Sequence, residues 1–282
     1  MATGQGRALA GLVTGALAIA LAPILVRLSE VGPVATAFHR VALALPLLLL
    51  WARGGARPGP GAWLAGALFA ADLAVWHLSI GLTTVANATL FANAAPVVVT
   101  LLAWGLLGQR PRPLFLAALL CGMAGVALLM GGAGPAGRLA GDLLGLLTAV
   151  FYGGYIFAVA RARRRDGTAA VMAASAAVSA ALLLPLAWAS GERVLPQTAA
   201  GWAVLLALAW LTHAGGQGLI TWALAHLPAA FSAVVLLVQP VAAALIAWPL
   251  FGEPLGPVEA AGAALVLAGI LLARRASPGA AP

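Results

Sequence analysis

Charged side chains are scarce in this chain: they make up 8% of its 282 residues, against about 25% in an ordinary soluble domain. A single cysteine, Cys121, is present, so no intrachain disulfide framework can form. Lysine is absent, and all 15 basic residues are arginine. That excludes a phosphate-loop lysine, a lysine Schiff base and a Ser-Lys dyad. What fills the space is apolar. A, V, I, L, M, F, W, Y and C account for 63% of the chain, and 34 glycines come on top of that. Soluble domains hold about 45–50% apolar residues with glycine counted. A chain this apolar cannot cover a globular surface with polar groups. Soluble enzymes, nucleic-acid binders and disordered chains are excluded, and a polytopic protein of the lipid bilayer remains.

A bilayer crossing takes about 20 apolar residues. Glycine, proline and charge clusters cut the chain into ten such pieces, near residues 8–28, 33–52, 61–80, 85–107, 114–131, 141–162, 168–190, 200–222, 229–251 and 257–273. The runs are continuously apolar rather than alternating, which argues against a β-barrel. Arginine placement sets the orientation. With the N-terminus in the cytoplasm, eleven arginines fall inside: Arg7, Arg53, Arg57, Arg110, Arg112, Arg161, Arg163, Arg164, Arg165, Arg274 and Arg275. Two fall outside, Arg138 and Arg193, and Arg27 and Arg40 lie within spans. The net charge of +8 thus reads as topology and not as a nucleic-acid surface. The expected location is a bacterial inner (plasma) membrane, multi-pass, with both termini cytoplasmic. The first span resembles a signal peptide, but it takes part in an internal repeat and is counted as a span.

Pro96-Val97, followed by Trp104-Gly105-Leu106-Leu107-Gly108-Gln109, returns 144 residues later as Pro240-Val241 and Trp248-Pro249-Leu250-Phe251-Gly252-Glu253. The same offset carries Ala124-Gly125 onto Ala268-Gly269. An offset of 134 carries Gly11-Leu12-Val13-Thr14 onto Gly145-Leu146-Leu147-Thr148, and Arg27 onto Arg161. The chain therefore reads as two repeats of five helices, residues 1–138 and 139–282. Five is odd, so equivalent spans cross in opposite directions. Inverted repeats of this kind characterise secondary transporters.

These residues resemble the drug/metabolite transporter superfamily, in particular its ten-span EamA-type exporters. The resemblance covers essentially the whole chain. It rests on the duplicated Pro-Val, the Trp-containing segment and the Leu-Leu-Gly-Gln and Leu-Phe-Gly-Glu that follow, on Arg40 in Ala37-Phe38-His39-Arg40, and on Gly122-Met123-Ala124-Gly125-Val126 and Ala268-Gly269-Ile270. Two positions depart from the family pattern: Gly108-Gln109 stands where Gly-Glu is usual, and Ala22-Pro23 replaces a Trp-Gly. The resemblance implies export of small metabolites, amino acids above all, and of amphipathic drugs, with YddG-like aromatic amino acid and drug exporters nearest among its members.

Charge inside a bilayer is expensive, so the few interior polar groups are site candidates. Asp72 lies eight residues from Ile80 at the outer end of its span, about 12 Å deep, and Arg40 seven residues after Pro33, about 10–11 Å deep. Matching depths allow an ion pair. Such a pair either locks two helices together or faces a cavity and meets a charged solute group or a proton. Trp76, His77, Asn93, Tyr152, Tyr155, Trp210, His213, Gln217 and Gln239 complete the candidate lining. An aromatic wall with a few polar groups suits amphipathic small molecules. Pro96 and Pro240 lie mid-helix at equivalent positions, as hinges or as static kinks. Neither His-Glu-x-x-His nor Gly-x-Ser-x-Gly occurs, and Asp72 has no second interior carboxylate. The expectation is an all-α polytopic membrane protein with ten transmembrane helices in two inverted five-helix repeats. It would export small molecules by alternating access around a central cavity, with no catalytic residues, metal or cofactor. Proton coupling is permitted and not required, and oligomeric state stays open. The competing classes are a polytopic membrane enzyme and a passive channel or scaffold.

Overall fold

The computed structural model describes residues 2–83, 85–131, 139–252 and 255–277, with backbone alone at residues 2, 3, 77, 80, 81 and 85–87. Every regular element among the described residues is helical. In the first part of the chain, α1 (Ala2–Ile19) and α2 (Ala22–Arg27) share one apolar stretch, α3 (Pro33–Ala42) and α4 (Leu45–Ala52) share the next, and α5 (Pro60–Leu82) runs unbroken. α6 (Val85–Ala92) and α7 (Ala95–Leu107) again share a stretch, and α8 (Pro113–Leu129) follows. After it come α9 (Leu139–Ala162) and α10 (Thr168–Ala189). Next, α11 (Ala199–Ala207), a π-helical segment (Leu208–Gln217) and α12 (Gly218–Ala223) form one continuous rod. α13 (Ala229–Val235) with α14 (Val238–Phe251), and then α15 (Pro257–Ala276), close the chain.

Four stretches are interrupted, at 20–21, 43–44, 93–94 and 236–237. Each interruption lies just before a proline: Pro23, Pro46, Pro96 and Pro240. Proline lacks the N–H that would reach back four residues, and its ring crowds the carbonyl there. The carbonyls four residues back belong to Ile19, Ala42 and Ala92, the last residues of α1, α3 and α6, and to Leu236, one past the end of α13, which accepts from Gln239 N (3.0 Å) instead. Other prolines start helices. Pro33, Pro60, Pro113 and Pro257 occupy the first turn, where no N–H partner is needed. Gly108 (φ 66°) and Gly252 (φ 68°) end α7 and α14 in the left-handed region that favours glycine.

Eight helical stretches are long and apolar enough to cross a membrane, and two shorter apolar ones are Pro60–Trp76 and Pro113–Leu129. Seventeen residues, Pro113–Leu129, span about 25 Å, a little under the roughly 30 Å of hydrocarbon. Small residues let the helices approach closely, since lipid supplies no hydrophobic drive for helix association. At the α8–α15 crossing a methyl group on Gly125 would meet the Gly262 carbonyl and the Val266 nitrogen, each at 2.6 Å. A methyl on Gly269 would meet Ala118 O at 2.8 Å and Gly122 N at 2.7 Å.

Loop contacts define the two ends of the bundle. At one end Glu192 Oε2 accepts from Val34 N (2.9 Å) and Ala35 N (3.1 Å) at the start of α3. Reciprocally, Glu30 Oε2 accepts from Gln197 N (2.9 Å) and Thr198 N (3.1 Å) at the start of α11. The Thr198 hydroxyl, the Gln197 amide and Arg193 hold the exposed Glu30 carboxyl below its ordinary value of 4.5. At the other end Asp166 Oδ2 accepts from Gly59 N (3.0 Å), and Arg163 Nε donates to Thr221 O (3.1 Å). Arg112 donates there to Ala276 O (3.4 Å). This second end gathers Arg53, Arg57, Arg110, Arg112, Arg161, Arg163, Arg164, Arg165, Arg274 and Arg275. The first carries Arg27 and Arg193; Arg138 lies outside the described residues.

Candidate functional site

A cavity of about 790 Å³ opens between the two parts of the chain. The breaks shape it. α2 turns away from α1 at 20–21 and presents Ala22, Pro23 and Ile24, while the 93–94 break brings Asn93 to the wall. From the later part of the chain, Thr148 and Tyr152 of α9, Leu208 and Gln217 of the π segment, and Gln239, Pro240 and Phe251 of α14 complete it. Its mouth lies toward the arginine-poor end, where α2 stops and α14 ends. There the Arg27 guanidinium sits 4.2 Å from the Phe251 ring centroid, bridging the two parts by a cation–π contact.

Arg40 on α3 and Asp72 on α5 both line this cavity. Asp72 is 8% exposed. Arg40 Nε is buried without a hydrogen-bond partner, and its guanidinium carbon lies 5.7 Å from the Phe69 centroid. Among the described residues the two form no ion pair within 4.0 Å. Trp76, Asn93, Tyr152, Gln217, Gln239 and Pro240 share the same wall. The remaining candidates lie elsewhere. Tyr155 and His213 are 1% exposed and sit behind Phe69. Their rings stack on it at 4.8 Å (30°) and 5.6 Å (19°). Both His213 nitrogens are buried without partners. Trp210 is 52% exposed on the bundle surface, and its indole donates to Leu43 O at 3.1 Å, at the α3–α4 break. Pro96 lies behind the wall, against a water-sized hollow of about 20 Å³ shared with Asn93, Tyr152 and Gln239. The side chain of His77 lies outside the described residues.

Phe69 is a wall residue the sequence reading missed, as are Thr36, Thr89, Thr148 and Phe251. A signal for it existed: Phe69, Asp72, Leu73 and Trp76 follow helical spacing and share one face of α5. Chemically, the wall offers two arginines, Arg40 within it and Arg27 at its mouth, one acid, Asp72, and four aromatic side chains, Phe69, Trp76, Tyr152 and Phe251. An amphipathic solute carrying both charges finds a partner for each part.

The model of the EamA-like transporter family matches two stretches, residues 6–131 and 139–275. A protein named "Uncharacterized transporter YwfM" from Bacillus subtilis (strain 168) is 26% identical over 215 residues, 76% of this chain and 72% of that protein. An "Uncharacterized transporter" from Archaeoglobus fulgidus is 35% identical over 115 residues, 38% of this chain and 39% of that protein, so the chain matches well under half of that relative's length. A solved crystal structure of a protein superposes with a TM-score of 0.82 at 22% identity, over 95% of this chain and 97% of the other, which is a likeness of fold alone.

Proposed function

The chain belongs to the EamA-like transporter family, and from that premise we propose that it is a ten-span secondary transporter built of two inverted five-helix repeats. It exports small metabolites, amino acids foremost and aromatic ones among them, together with amphipathic drugs. The observation that carries this reading is the cavity between the two parts of the chain, with Arg40 and Asp72 on its wall and no ion pair between them. Burying two ionisable groups of opposite sign without a direct ion pair is costly unless a ligand completes them. An α-amino acid brings a carboxylate to Arg40, an ammonium to Asp72, and a side chain to Phe69, Trp76 and Tyr152.

Three features support the inverted repeat. The family model matches twice. The helix stop at Gly108 and start at Pro113 return at Gly252 and Pro257, 144 residues on. Contacts at the α8–α15 crossing also come in reciprocal pairs: Gly125 with Gly262 and Val266 answers Gly269 with Ala118 and Gly122 at that offset. Cys121 Sγ and Leu265 O, 3.4 Å apart, are themselves one offset apart, as a pair lying on a two-fold axis would be.

The mouth lies at the arginine-poor end, so a protein with both termini cytoplasmic is here open to the outside. The test is uptake and counterflow in proteoliposomes of the purified full chain, across an amino acid panel, with and without a pH gradient. Transport of at least one amino acid is expected, and a gradient effect would add proton coupling. A panel that shows no transport sinks the substrate reading.

A further inference from the structure

We infer that the closed, cytoplasm-facing half of the solute passage runs along the seam where α10 and the rod of α11, the π segment and α12 meet beside α5, with Ser175, Met172 and His213 as its lining. The inference rests on the inverted-repeat reading and deepens it to named residues.

Equivalence under the repeat supplies the first argument. The stretch of α3 and α4 begins at Pro33 and ends at Ala52, and α10 begins at Thr168 and ends at Ala189. The offsets of their ends are 135 and 137. Pro33, Thr36, Ala37 and Arg40 face the open cavity, and at an offset of 135 their counterparts are Thr168, Val171, Met172 and Ser175. α5 and the later rod begin at Pro60 and Ala199 and end at Leu82 and Ala223, offsets of 139 and 141. At 141, Asp72 falls on His213; Trp76 falls on Gln217, which borders the open cavity as well and so lies where the two halves meet. Because the repeats are inverted, a face lining the outer half of one copy lines the inner half of the other. Thr168 does stand at the arginine-rich end, next to Asp166 and Arg163.

The second argument is independent of any offset. These counterpart positions hold polar atoms without partners. Ser175 Oγ and both His213 nitrogens are buried and unbonded. Val171, Met172 and Ser175 are at most 2% exposed, as are Thr212 and His213. A buried polar atom without a partner costs about 1–3 kcal/mol. That cost disappears in a state where the seam admits water or the polar end of a solute. The seam is also weakly tied: Thr221 Oγ1 donates to the Met172 sulfur at 3.2 Å, a poor acceptor. Gln217 borders the open cavity, and four residues further along the rod Thr221 reaches the arginine-rich end, where Arg163 grips Thr221 O.

The test uses the full chain in proteoliposomes, with Cys121→Ser as background and a membrane-impermeant maleimide as probe. Ala37→Cys reports the open cavity and Ser175→Cys the seam; Val171→Cys covers the case in which Ser175→Cys fails to fold, judged by size-exclusion behaviour. Ala37→Cys is expected to react on the order of tenfold faster from the arginine-poor face, and Ser175→Cys on the order of tenfold faster from the arginine-rich face. Prior blocking of Ala37→Cys with a bulky maleimide should slow labelling of Ser175→Cys in the double variant. Labelling of Ser175→Cys from the arginine-poor face overturns the inference, as does silence from both faces while Ala37→Cys reacts. No transported solute is needed for this readout. An inactive amino acid panel with the expected labelling pattern removes the substrate reading alone; active uptake with a silent Ser175→Cys removes this inference alone.

Discussion

Asp72 differs from every other described acid in this chain by having no helix start to serve. Glu30, Asp166 and Glu192 each accept from backbone N–H groups at the start of a helix on another part of the chain. Asp142 and Glu259 lie in the first turns of α9 and α15. Those five gain from the positive end of a helix, so stability alone accounts for them. Asp72 lies mid-helix at the cavity wall, where stability is a reason to remove it. Asp72→Asn and Arg40→Gln should therefore leave membrane expression and thermal stability close to wild type while transport falls. The loss of one charge-assisted contact, about 1.5–3 kcal/mol, corresponds to a drop of roughly ten- to a hundredfold in kcat/KM. Collapse of expression together with transport would mean that the two residues serve only to hold α3 and α5. The sequence disclosed both residues, because charge at that depth needs a reason. It did not disclose that Tyr155 and His213 sit behind Phe69, nor that Trp210 faces outward. In helices apolar on nearly all sides, periodicity does not tell which face looks inward. That phase is decided by packing, here by the ring stack on Phe69.

Among the elements, the interrupted helices carry the strongest link from sequence to mechanism. The apolar helical stretches, their starts at proline and their stops at glycine were readable, since each follows from a local property of the chain. Two of the four breaks were expected, at Pro96 and Pro240; those before Pro23 and Pro46 follow the same rule. The π segment was not readable. Gly215-Gly216 signals close approach, but the wider turn depends on what the helix meets, and Gly216 lies against Gly15 and Ile19. The paired breaks make a prediction of their own. Pro96→Ala supplies an N–H four residues on from Ala92 O, and Pro240→Ala does so for Leu236 O, which at present accepts from Gln239 N one residue early (3.0 Å). In a soluble helix interior the change is worth about 3 kcal/mol. If the breaks serve as hinges, each variant should be as stable as wild type or more so in detergent, yet slower in transport by about tenfold, and the double variant slower still. Equal transport at raised stability would mark the breaks as static.

The molecule as a whole closes where α8 crosses α15, and here the proposed two-fold relation can be tested without any solute. Gly125 and Gly269 are 144 residues apart, and each has backbone atoms of the opposite helix within 3 Å of where a Cβ would stand. Backbone cannot move aside as a flexible side chain can, so an added methyl must push the helices apart. Overpacking of this sort costs about 1–3 kcal/mol. Gly125→Ala and Gly269→Ala should then lower thermal stability in detergent by similar amounts, since each methyl meets one backbone oxygen and one backbone nitrogen of the opposite helix. The double variant should lose less than the sum, because the separation forced by one methyl already makes room for the other. Strict additivity would mean that the two sites act independently. A large loss at one glycine with none at the other would break the equivalence on which the offset of 144, the shared break positions and the inward passage at Ser175 all depend.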